Sequence, residues 1–283
     1  DFSSEKTSSS EVNGVDILKI DFYVANPSTG SMWDVSIFKP STEGENLPGI
    51  ILVPGGVSDK SKFLANTSPN VDYSTAELFA SEGFITLIFS AEGRGESEGE
   101  GDYNGHIDQD GLYELYKFLK DYDNVDEDNI GIVSYSYGVA MASGMLGRYE
   151  VPLKYYIEFE GPVDKYYVTF DCLDRTLDKE GVGAVKSGIT CDNDDYWAER
   201  EALNFVPNFK VEHFIVVQKE KDHVQPTHNH SLDINNLAVE HLDWVRVNGS
   251  ENEINQNYTY DQFPLIENKA EVNELIISYI KEL

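Results

Sequence analysis

The segment covering residues 130–142 carries the residue pattern that could most directly do chemistry. A short β-branched run leads into Ser134-Tyr-Ser-Tyr-Gly138, and the chain continues as Val139-Ala-Met-Ala, which suits a buried helix. A strand, a sharp turn and a helix with serine at the apex expose one hydroxyl above a parallel sheet. Such a hydroxyl can attack an acyl carbon when a base accepts its proton. Ser136 is therefore the predicted nucleophile, although similar five-residue matches also occur at ordinary strand ends.

This pattern differs from the G-x-S-x-G consensus at its first position, where Ser134 replaces glycine. Small residues are needed around the apex because its backbone is strained and the helix packs closely against the strand. Ser134 is the poorer candidate for the nucleophile, since no glycine lies two positions after it.

The elements that would position Ser136 follow from the hydrophobic pattern. The nearly alternating runs 15–24 and 32–38 predict an antiparallel hairpin, and the continuous apolar runs 48–54 and 84–89 predict strands buried on both faces. Amphipathic helical segments alternate with the later strands, which predicts an α/β fold with a mostly parallel, doubly wound sheet. In such sheets, reactive groups lie on loops beyond the carboxyl ends of strands.

One domain accounts for most of the chain. The 283 residues, 40% of them hydrophobic, are enough for a full core. Regular patterning is lost between about residues 164 and 200 and returns afterwards. We therefore predict a Ser-rich flexible tail over residues 1–13 and one domain over residues 14–283, with a cap inserted at about 164–200.

The composition excludes several classes of partner. The 51 acidic and 21 basic residues give a formal net charge of -30. Nucleic acids and anionic membranes bind to positively charged surfaces, so we expect no nucleic-acid partner. No apolar run reaches the 18 or more residues of a membrane span. Oligomeric state and assembly partners cannot be inferred from the sequence.

Other features predict an extracellular or cell-surface location. The Ser-rich opening at Asp1 is typical of a chain that has lost a signal peptide, although an engineered truncation would look the same. Cys172 and Cys191 are expected to form a disulfide, with two free thiols as the alternative. Four Asn-x-Ser/Thr sequons would permit glycosylation. They begin at Asn66, Asn229, Asn248 and Asn257.

Several segments together make the chain resemble the α/β-hydrolase superfamily, and most closely its dienelactone-hydrolase-like and X-prolyl-peptidase-like serine esterases and peptidases. In addition to the serine pentapeptide, they are Val53-Pro-Gly-Gly56, Glu92-Gly-Arg-Gly-Glu-Ser97 with Asp108-Gln-Asp-Gly111, and Tyr196-Trp-Ala-Glu-Arg200. The resemblance covers nearly everything after the tail. It implies the α/β-hydrolase fold and a small-molecule or peptide substrate with an ester or amide bond, and we expect no cofactor.

The resemblance also implies how the reaction's oxyanion would be bound. The backbone N–H of Tyr137, directly after Ser136, would be one donor. A second N–H would come from Gly56 or Val57, with a simple tight turn at the two adjacent glycines as the alternative.

The acid of the predicted catalytic triad is Asp222. Residues 218–226 resemble the family's G-x-x-D-x-x-x-P segment after the seventh strand, with a charged surface turn as the alternative. The triad histidine would follow the eighth strand, but residues 248–256 contain none and no histidine occurs after His241. Loss of the base from a serine triad typically lowers the rate by several orders of magnitude.

The choice of a substitute base lies among the histidines near Asp222. His223 is its direct neighbour, but consecutive side chains at a strand end point in opposite directions, which disfavours this pair. His228 and His230 lie in the following turn and helix start, so either could reach Ser136. The same group could instead bind a metal, but it lacks a strict ligand spacing and no metal site is predicted.

Two hypotheses follow from the sequence. In the first, the protein is a secreted serine hydrolase that forms an acyl-enzyme at Ser136, with Asp222 and a relocated histidine. In the second, it is a catalytically inactive protein of the same fold with an extracellular binding or structural role.

Overall fold

The computed structural model describes residues 6–41, 46–66, 71–168, 172, 189–269 and 271–283. This part of the chain contains nine strands. They are β1 (Lys6–Val12), β2 (Val15–Ala25), β3 (Met32–Pro40), β4 (Leu47–Val53), β5 (Ile85–Phe89), β6 (Val125–Tyr135), β7 (Pro152–Phe159), β8 (Lys210–Val217) and β9 (Val245–Val247).

The helices lie between and after these strands. They are α1 (Ser61–Leu64), α2 (Thr75–Ser81), α3 (His106–Lys120), α4 (Gly138–Tyr149), α5 (Lys165–Val168), α6 (Asp194–Ala198), α7 (Asn229–His241) and α8 (Val272–Lys281). Local sequence explains where α2 begins. There, Ser74 and Glu77 form a capping box in which each side chain accepts a hydrogen bond from the other's backbone N–H.

All nine strands belong to one sheet in the order β1-β2-β3-β5-β4-β6-β7-β8-β9. Strands β4 to β9 run parallel, whereas β1, β2 and β3 pair antiparallel at one side. The predicted mostly parallel sheet with an antiparallel N-terminal hairpin is therefore confirmed. The carboxyl ends of β4, β6, β7 and β8 are neighbours, which brings the loops that follow these strands together at one end of the parallel strands.

Helices cover both faces of the sheet and form two separate hydrophobic cores. One core packs α3, α4 and α7 against one face, and the other packs α2 and α8 against the opposite face. Because both faces are covered, strand β4 is apolar on both sides, and Ile50 to Val53 are fully buried. This double burial explains why the continuous apolar runs were readable as strands.

The N-terminal segment differs from the flexible tail predicted over residues 1–13. Residues Lys6–Val12 form β1 and pair with β2 from Lys6 opposite Asp21 to Val12 opposite Val15. Six of the seven β1 residues are exposed, so the strand has no hydrophobic pattern to reveal it. Its backbone hydrogen bonds to β2 hold it at the sheet edge. Most of the predicted cap lies outside the described residues.

Candidate active site

Ser136 lies at the turn between β6 and α4, as the sequence predicted for a nucleophile. Its φ of 52° is in the left-handed region, which is strained for a serine and typical of a functional turn. Its N–H donates to the carbonyl of Phe159 at 2.8 Å, which ties the turn to β7. Gly138 must be small, because a Cβ there would lie 2.8 Å from the carbonyl oxygen of Pro54.

Ser134, which replaces the first glycine of the consensus, is fully buried. Its Oγ lies 2.9 Å from the hydroxyl of Tyr156, so the extra polar atom has a hydrogen-bond partner inside the core. The serine therefore fits without exposing a second hydroxyl at the turn.

The histidine beside Ser136 is His223. Its Nε2 lies 2.9 Å from Ser136 Oγ, and its Nδ1 lies 2.9 Å from Glu160 Oε2. In the neutral tautomer whose Nδ1–H donates to Glu160, Nε2 is free to accept the proton of the serine hydroxyl. The three side chains therefore form a continuous Ser–His–Glu chain of hydrogen bonds, in the chain order serine, acid, histidine that suits this kind of sheet.

His223 was disfavoured as the base because consecutive side chains at a strand end point in opposite directions, a reason that does not apply in the structure. Strand β8 ends at Val217, so His223 lies in a turn beyond it and strand alternation does not set its direction. His228 instead stacks on Tyr260, and its Nε2 lies 3.0 Å from that residue's carbonyl oxygen. Contrary to the expectation, the structure therefore does not place His228 beside Ser136.

His230 is also held elsewhere. It is fully buried, with Nε2 at 3.1 Å from Asp222 Oδ2 and Nδ1 at 2.9 Å from the carbonyl oxygen of Gly161. Both ring nitrogens are thus engaged in the core, and the structure does not bring His230 to Ser136.

Glu160 was not among the predicted site residues. It directly follows β7, is fully buried and has a φ of 49°, so it is another strained residue at the active edge. Its Oε1 accepts a hydrogen bond from the N–H of Lys219 at 3.2 Å, leaving Oε2 for His223. The signal in the sequence was the acidic residues at the end of a buried strand. Acidic side chains are rarely fully buried unless they have a partner, so such residues indicate a specific contact.

Asp222, the predicted acid, lies next to this chain of residues but has other main partners. Its Oδ1 accepts backbone N–H groups of Val224 and Gln225, each at 2.7 Å, and its Oδ2 faces His230. The distance from Asp222 Oδ1 to His223 Nδ1 is 3.3 Å, longer than the 2.9 Å to Glu160. Asp222 therefore shapes the turn that presents His223, and Glu160 makes the shorter contact with the imidazole.

The two carboxylates change the acid–base properties of the site. Hydrogen bonds to Asp222 and Glu160 raise the pKa of His223 to about 9. For Asp222, burial opposes ionisation, but hydrogen bonds from His223 and His230 hold its pKa well below its usual range. The carboxylate of Asp222 is thus ionised in the folded protein, and its stabilising effect is lost only as the pH falls through its lowered pKa.

The loop after β4 lies directly over the turn that carries Ser136. A Cβ on Gly55 would come within 2.7 Å of Ser136 Cβ, so a larger residue would displace the serine. Gly56 has a φ of +57°, and Val57 is 70% exposed. The N–H groups of Gly56, Val57 and Tyr137 donate no hydrogen bond to the described part of the chain, which leaves them available as donors.

A buried ion pair between Arg94 and Asp108 supports both the loop after β4 and the turn that carries Ser136. Arg94 donates to the carbonyl oxygen of Gly56 at 2.9 Å, and to Asp108 and Asn104 at 2.8 Å each. Asn104 in turn donates to the carbonyl oxygen of Tyr137 at 2.9 Å. Burial raises the pKa of Asp108 to about 6, against the effect of Arg94. Arg94, Asp108 and Asn104 thus support the loop and the turn together.

Three groups at the site could bind a metal ion. Ligand atoms of Glu160, Asp222 and His223 lie within 4.8 Å of one another. The same atoms of Glu160 and His223 are hydrogen-bonded to each other. A cation would therefore compete with the contact that orients the imidazole toward Ser136.

Glu158 is a second buried carboxyl group close to Glu160. Its Oε1 accepts the N–H of Gly161, its Oε2 has no partner among the described residues, and burial raises its pKa well above the usual range. The nearby charges of Asp222 and Glu160 raise this pKa further. Glu158 is therefore protonated in the folded protein under conditions in which the unfolded chain releases the proton.

This difference in protonation predicts a stabilising substitution. A pKa raised above 4.5 in the folded state makes the free energy of unfolding fall as the pH rises above that value. Glu158→Gln keeps the acceptor for Gly161 and cannot ionise, so we expect it to raise the Tm at about pH 8 by roughly 3 °C. Thermal unfolding at about pH 8 and about pH 4 measures this, and a gain of equal size at both pH values would contradict the explanation.

Cys172 and Cys191, the predicted disulfide pair, are bonded to each other, with their Cα atoms 5.1 Å apart. They belong to a small cluster of cap residues that packs on Tyr137 and Trp197. The hydroxyl of Tyr137 is buried and has no hydrogen-bond partner among the described residues. The disulfide thus lies on the side of the turn that faces the cap.

The predicted glycosylation sites differ in accessibility. Asn66 and Asn257 are exposed, and Asn229 is half-buried at the start of α7. Asn248 is only 1% exposed; its Oδ1 accepts the N–H of Gln218 at 3.0 Å and its Nδ2 donates to the carbonyl oxygen of Pro264 at 2.8 Å. Asn248 is therefore a core residue of the folded protein and not a site for a glycan.

Within the described ranges, no helix is both long and apolar enough to cross a bilayer. No protein-family model matches the sequence, and no curated protein has a significantly similar sequence.

Several solved structures share this fold at low sequence identity. The α/β-hydrolase GrgF from Penicillium sp. sh18 is 15% identical, with a TM-score of 0.64 over 93% of this chain and 98% of its own. Acetyl xylan esterase 1 from Thermoanaerobacterium sp. JW/SL YS485 is 15% identical, with a TM-score of 0.61 over 99% of this chain and 87% of its own.

The acylaminoacyl peptidase from Pyrococcus horikoshii is likewise 15% identical, with a TM-score of 0.61 over 99% of this chain. This chain spans only half of that peptidase, and less of two other peptidase structures. The sheet order, the strained serine turn and these similarities agree with one another. The chain is an α/β-hydrolase-fold protein.

Proposed function

We propose that the protein is a serine hydrolase that cleaves an ester or amide bond through an acyl-enzyme at Ser136. The observation that carries this proposal is the hydrogen-bonded chain in which His223 Nε2 lies 2.9 Å from Ser136 Oγ and His223 Nδ1 lies 2.9 Å from Glu160. A serine hydroxyl becomes a nucleophile when a positioned base accepts its proton.

The reaction would proceed in two halves. Ser136 Oγ attacks the carbonyl carbon as its proton passes to His223, and Glu160 stabilises the resulting imidazolium. The N–H of Tyr137 and an N–H of the Gly56–Val57 loop stabilise the oxyanion. His223 then gives the proton to the leaving alcohol or amine, which departs as the acyl-enzyme forms. Water, deprotonated by His223, releases the acid and regenerates the serine.

Each partner of Ser136 lies one strand earlier than the family resemblance implies. The family's seventh and eighth strands correspond here to β8 and β9, after which the acid and the histidine would lie. In the structure, Glu160 follows β7 and His223 follows β8. Because the carboxyl ends of β6, β7 and β8 are adjacent, the shifted residues still meet at the serine. This arrangement supplies the base that the segment after β9 lacks.

The alternative of an inactive protein depended on the missing histidine. With His223 in hydrogen-bond reach of Ser136, that reason no longer applies, and no other observation favours a purely structural role. The similar solved structures include proteins named as an esterase and a peptidase, which supports an ester or amide as the substrate class.

We infer an extracellular or cell-surface location. The disulfide between Cys172 and Cys191 supports it, because such bonds persist in oxidising compartments. The exposed sequons at Asn66 and Asn257 are compatible with it. Detection of the protein in the medium or surface fraction of its source cells tests this inference, and recovery from the cytosol alone would contradict it.

The proposed activity is tested with p-nitrophenyl butyrate and purified protein. We expect hydrolysis by the wild type and none above background by Ser136→Ala, while Ser134→Ala keeps measurable activity. Folding of each variant is checked by its Tm. A wild-type rate equal to that of Ser136→Ala would contradict the proposal.

The pKa of His223 predicts how the activity depends on pH. The imidazole must be neutral to accept the serine proton, and its pKa is raised to about 9. We therefore expect kcat/KM to increase with pH and to level off above about 9. A profile measured on a neutral ester checks this, and a plateau that already begins near pH 6.5, the ordinary pKa of histidine, would contradict it.

A further inference from the structure

A cavity of about 630 Å³ opens beside Ser136 and His223, between the loop after β4 and helix α8. Its volume is in the range of pockets that hold a small organic ligand. Both catalytic side chains line this cavity, as do the glycines of the loop. It is therefore where the proposed reaction would hold one side of its substrate.

The walls of this cavity are largely apolar. Phe63, Tyr135 and Phe159 form a row of aromatic rings, with centroid distances of 5.2 Å between the first two and 6.0 Å between the last two. Val272 and the half-exposed Val224 add aliphatic surface. An apolar body of the substrate would fit against this row.

The charges of the cavity are opposite to those of the whole protein. Acidic residues outnumber basic ones by 51 to 21 in the chain, yet the lining contains Lys62 and Lys219 and no Asp or Glu. Lys219 Nζ lies 5.2 Å from the ring centre of Phe159 and 3.9 Å from Glu160 Oε2, so Glu160 offsets part of its charge. Lys62 is exposed, and no ion pair is found for it among the described residues.

We propose that the substrate is an ester or amide with an apolar segment and a carboxylate, and that Lys62, assisted by Lys219, binds this carboxylate. The inference rests on the proposed hydrolase function and specifies its substrate class. A net charge of -30 repels anions from the protein as a whole. A local pair of ammonium groups beside an apolar wall offsets this repulsion at the one place where the substrate must bind.

The test compares two esters that differ only in the terminal carboxylate: mono-p-nitrophenyl adipate and p-nitrophenyl hexanoate. We expect the wild type to have the higher kcat/KM for the adipate ester. Lys62→Gln should lower the adipate-to-hexanoate ratio of kcat/KM by about 5-fold, as for one partly exposed ion pair, and Lys62→Glu should lower it further. Added salt should lower the wild-type ratio, because screening weakens exposed ion pairs.

Lys210 provides the matched control. It is exposed at the amino end of β8, whereas Ser136 lies beyond the carboxyl ends of the parallel strands. Lys210→Gln and Lys210→Glu make the same changes in net charge and should leave the ratio unchanged. Equal effects at Lys62 and Lys210 would attribute the preference to net charge alone and overturn the inference.

A second pair of esters locates the carboxylate. The butyrate ester of p-hydroxybenzoate and phenyl butyrate differ in the leaving group, whereas the adipate pair differs in the acyl group. A Lys62-dependent preference in one pair supports the inference and assigns the carboxylate to that side. Absence of a preference in both pairs overturns it.

Failure of the proposed function would be distinguishable from failure of this inference. If the wild type hydrolyses none of these esters, calorimetric titration with monomethyl adipate and with methyl hexanoate still measures binding. Tighter binding of the adipate, weakened in Lys62→Gln and not in Lys210→Gln, would support the carboxylate site without hydrolysis. Equal binding of the two ligands would overturn it.

Discussion

His223→Ala is expected to lower kcat for ester hydrolysis by about 10,000-fold or more, because the Ser136 hydroxyl loses the base 2.9 Å away. His228→Ala is the matched control: it removes an imidazole from the same loop region, but one that stacks on Tyr260. We expect this control to keep kcat within about 2-fold of the wild type, since its side chain contacts no catalytic group.

The measurement is steady-state hydrolysis of p-nitrophenyl butyrate, together with the Tm of each variant. A large loss in His228→Ala with a small loss in His223→Ala would mean that the loop rearranges during catalysis and would contradict the assignment. Free imidazole added to His223→Ala offers a further check. An external base can partly restore the activity that was lost with the side chain, whereas it cannot restore the activity of a misfolded variant.

Glu160→Gln is expected to lower kcat by about 1,000-fold. The amide keeps the size of the side chain but cannot stabilise the imidazolium that forms on His223. The corresponding carboxylate-to-amide change in a serine triad lowers kcat by about 10,000-fold, so about 1,000-fold is the smaller end of the expected loss. Loss of the Glu160 charge should also shift the rising limb of the pH profile to lower pH, because Asp222 and Glu160 together raise the pKa of His223.

Asp222→Asn separates the two acids. Asp222 accepts hydrogen bonds from two backbone N–H groups of its turn and faces the buried His230. Its substitution should therefore lower the Tm, while the loss in kcat stays smaller than that of Glu160→Gln. A kcat loss larger than that of Glu160→Gln would make Asp222 the catalytic acid, as the family resemblance implied. The pair of variants therefore decides which carboxylate supports the histidine.

The fold and the nucleophile were accessible from the sequence because their signals are local. Strands buried on both faces give continuous apolar runs, and the turn at Ser136 needs small residues within a few positions of the serine. The disulfide partners were the only two cysteines. In each case, nearby residues or simple counting were sufficient.

His223 and Glu160 depend on relations between distant segments, which the sequence does not display. Glu160 is 63 residues from His223, and the two meet only because β7 and β8 are neighbours in the sheet. The direction of His223 is set by the turn that Asp222 holds through Val224 and Gln225, so a rule for strands gave the wrong expectation. A family consensus then drew attention to the loop after β9, where no histidine lies.

Strand β1 is an element whose local sequence suggested no regular structure. Its Ser-rich sequence has a composition typical of a tail, and only backbone pairing with β2 makes it a strand. Asn248 is similar, since its sequon cannot reveal that the side chain is buried between Gln218 and Pro264. Such features follow from tertiary contacts and not from local residue pattern.

The most direct test of the central claim is covalent labelling with a fluorophosphonate, which reacts with serines activated by a neighbouring base. We expect one adduct at neutral to alkaline pH, located on Ser136 by peptide mass spectrometry, absent in Ser136→Ala and strongly slowed in His223→Ala. Retained labelling in His228→Ala would serve as the control. Folded wild-type protein that remains unlabelled, or an adduct on a residue other than Ser136, would contradict the account.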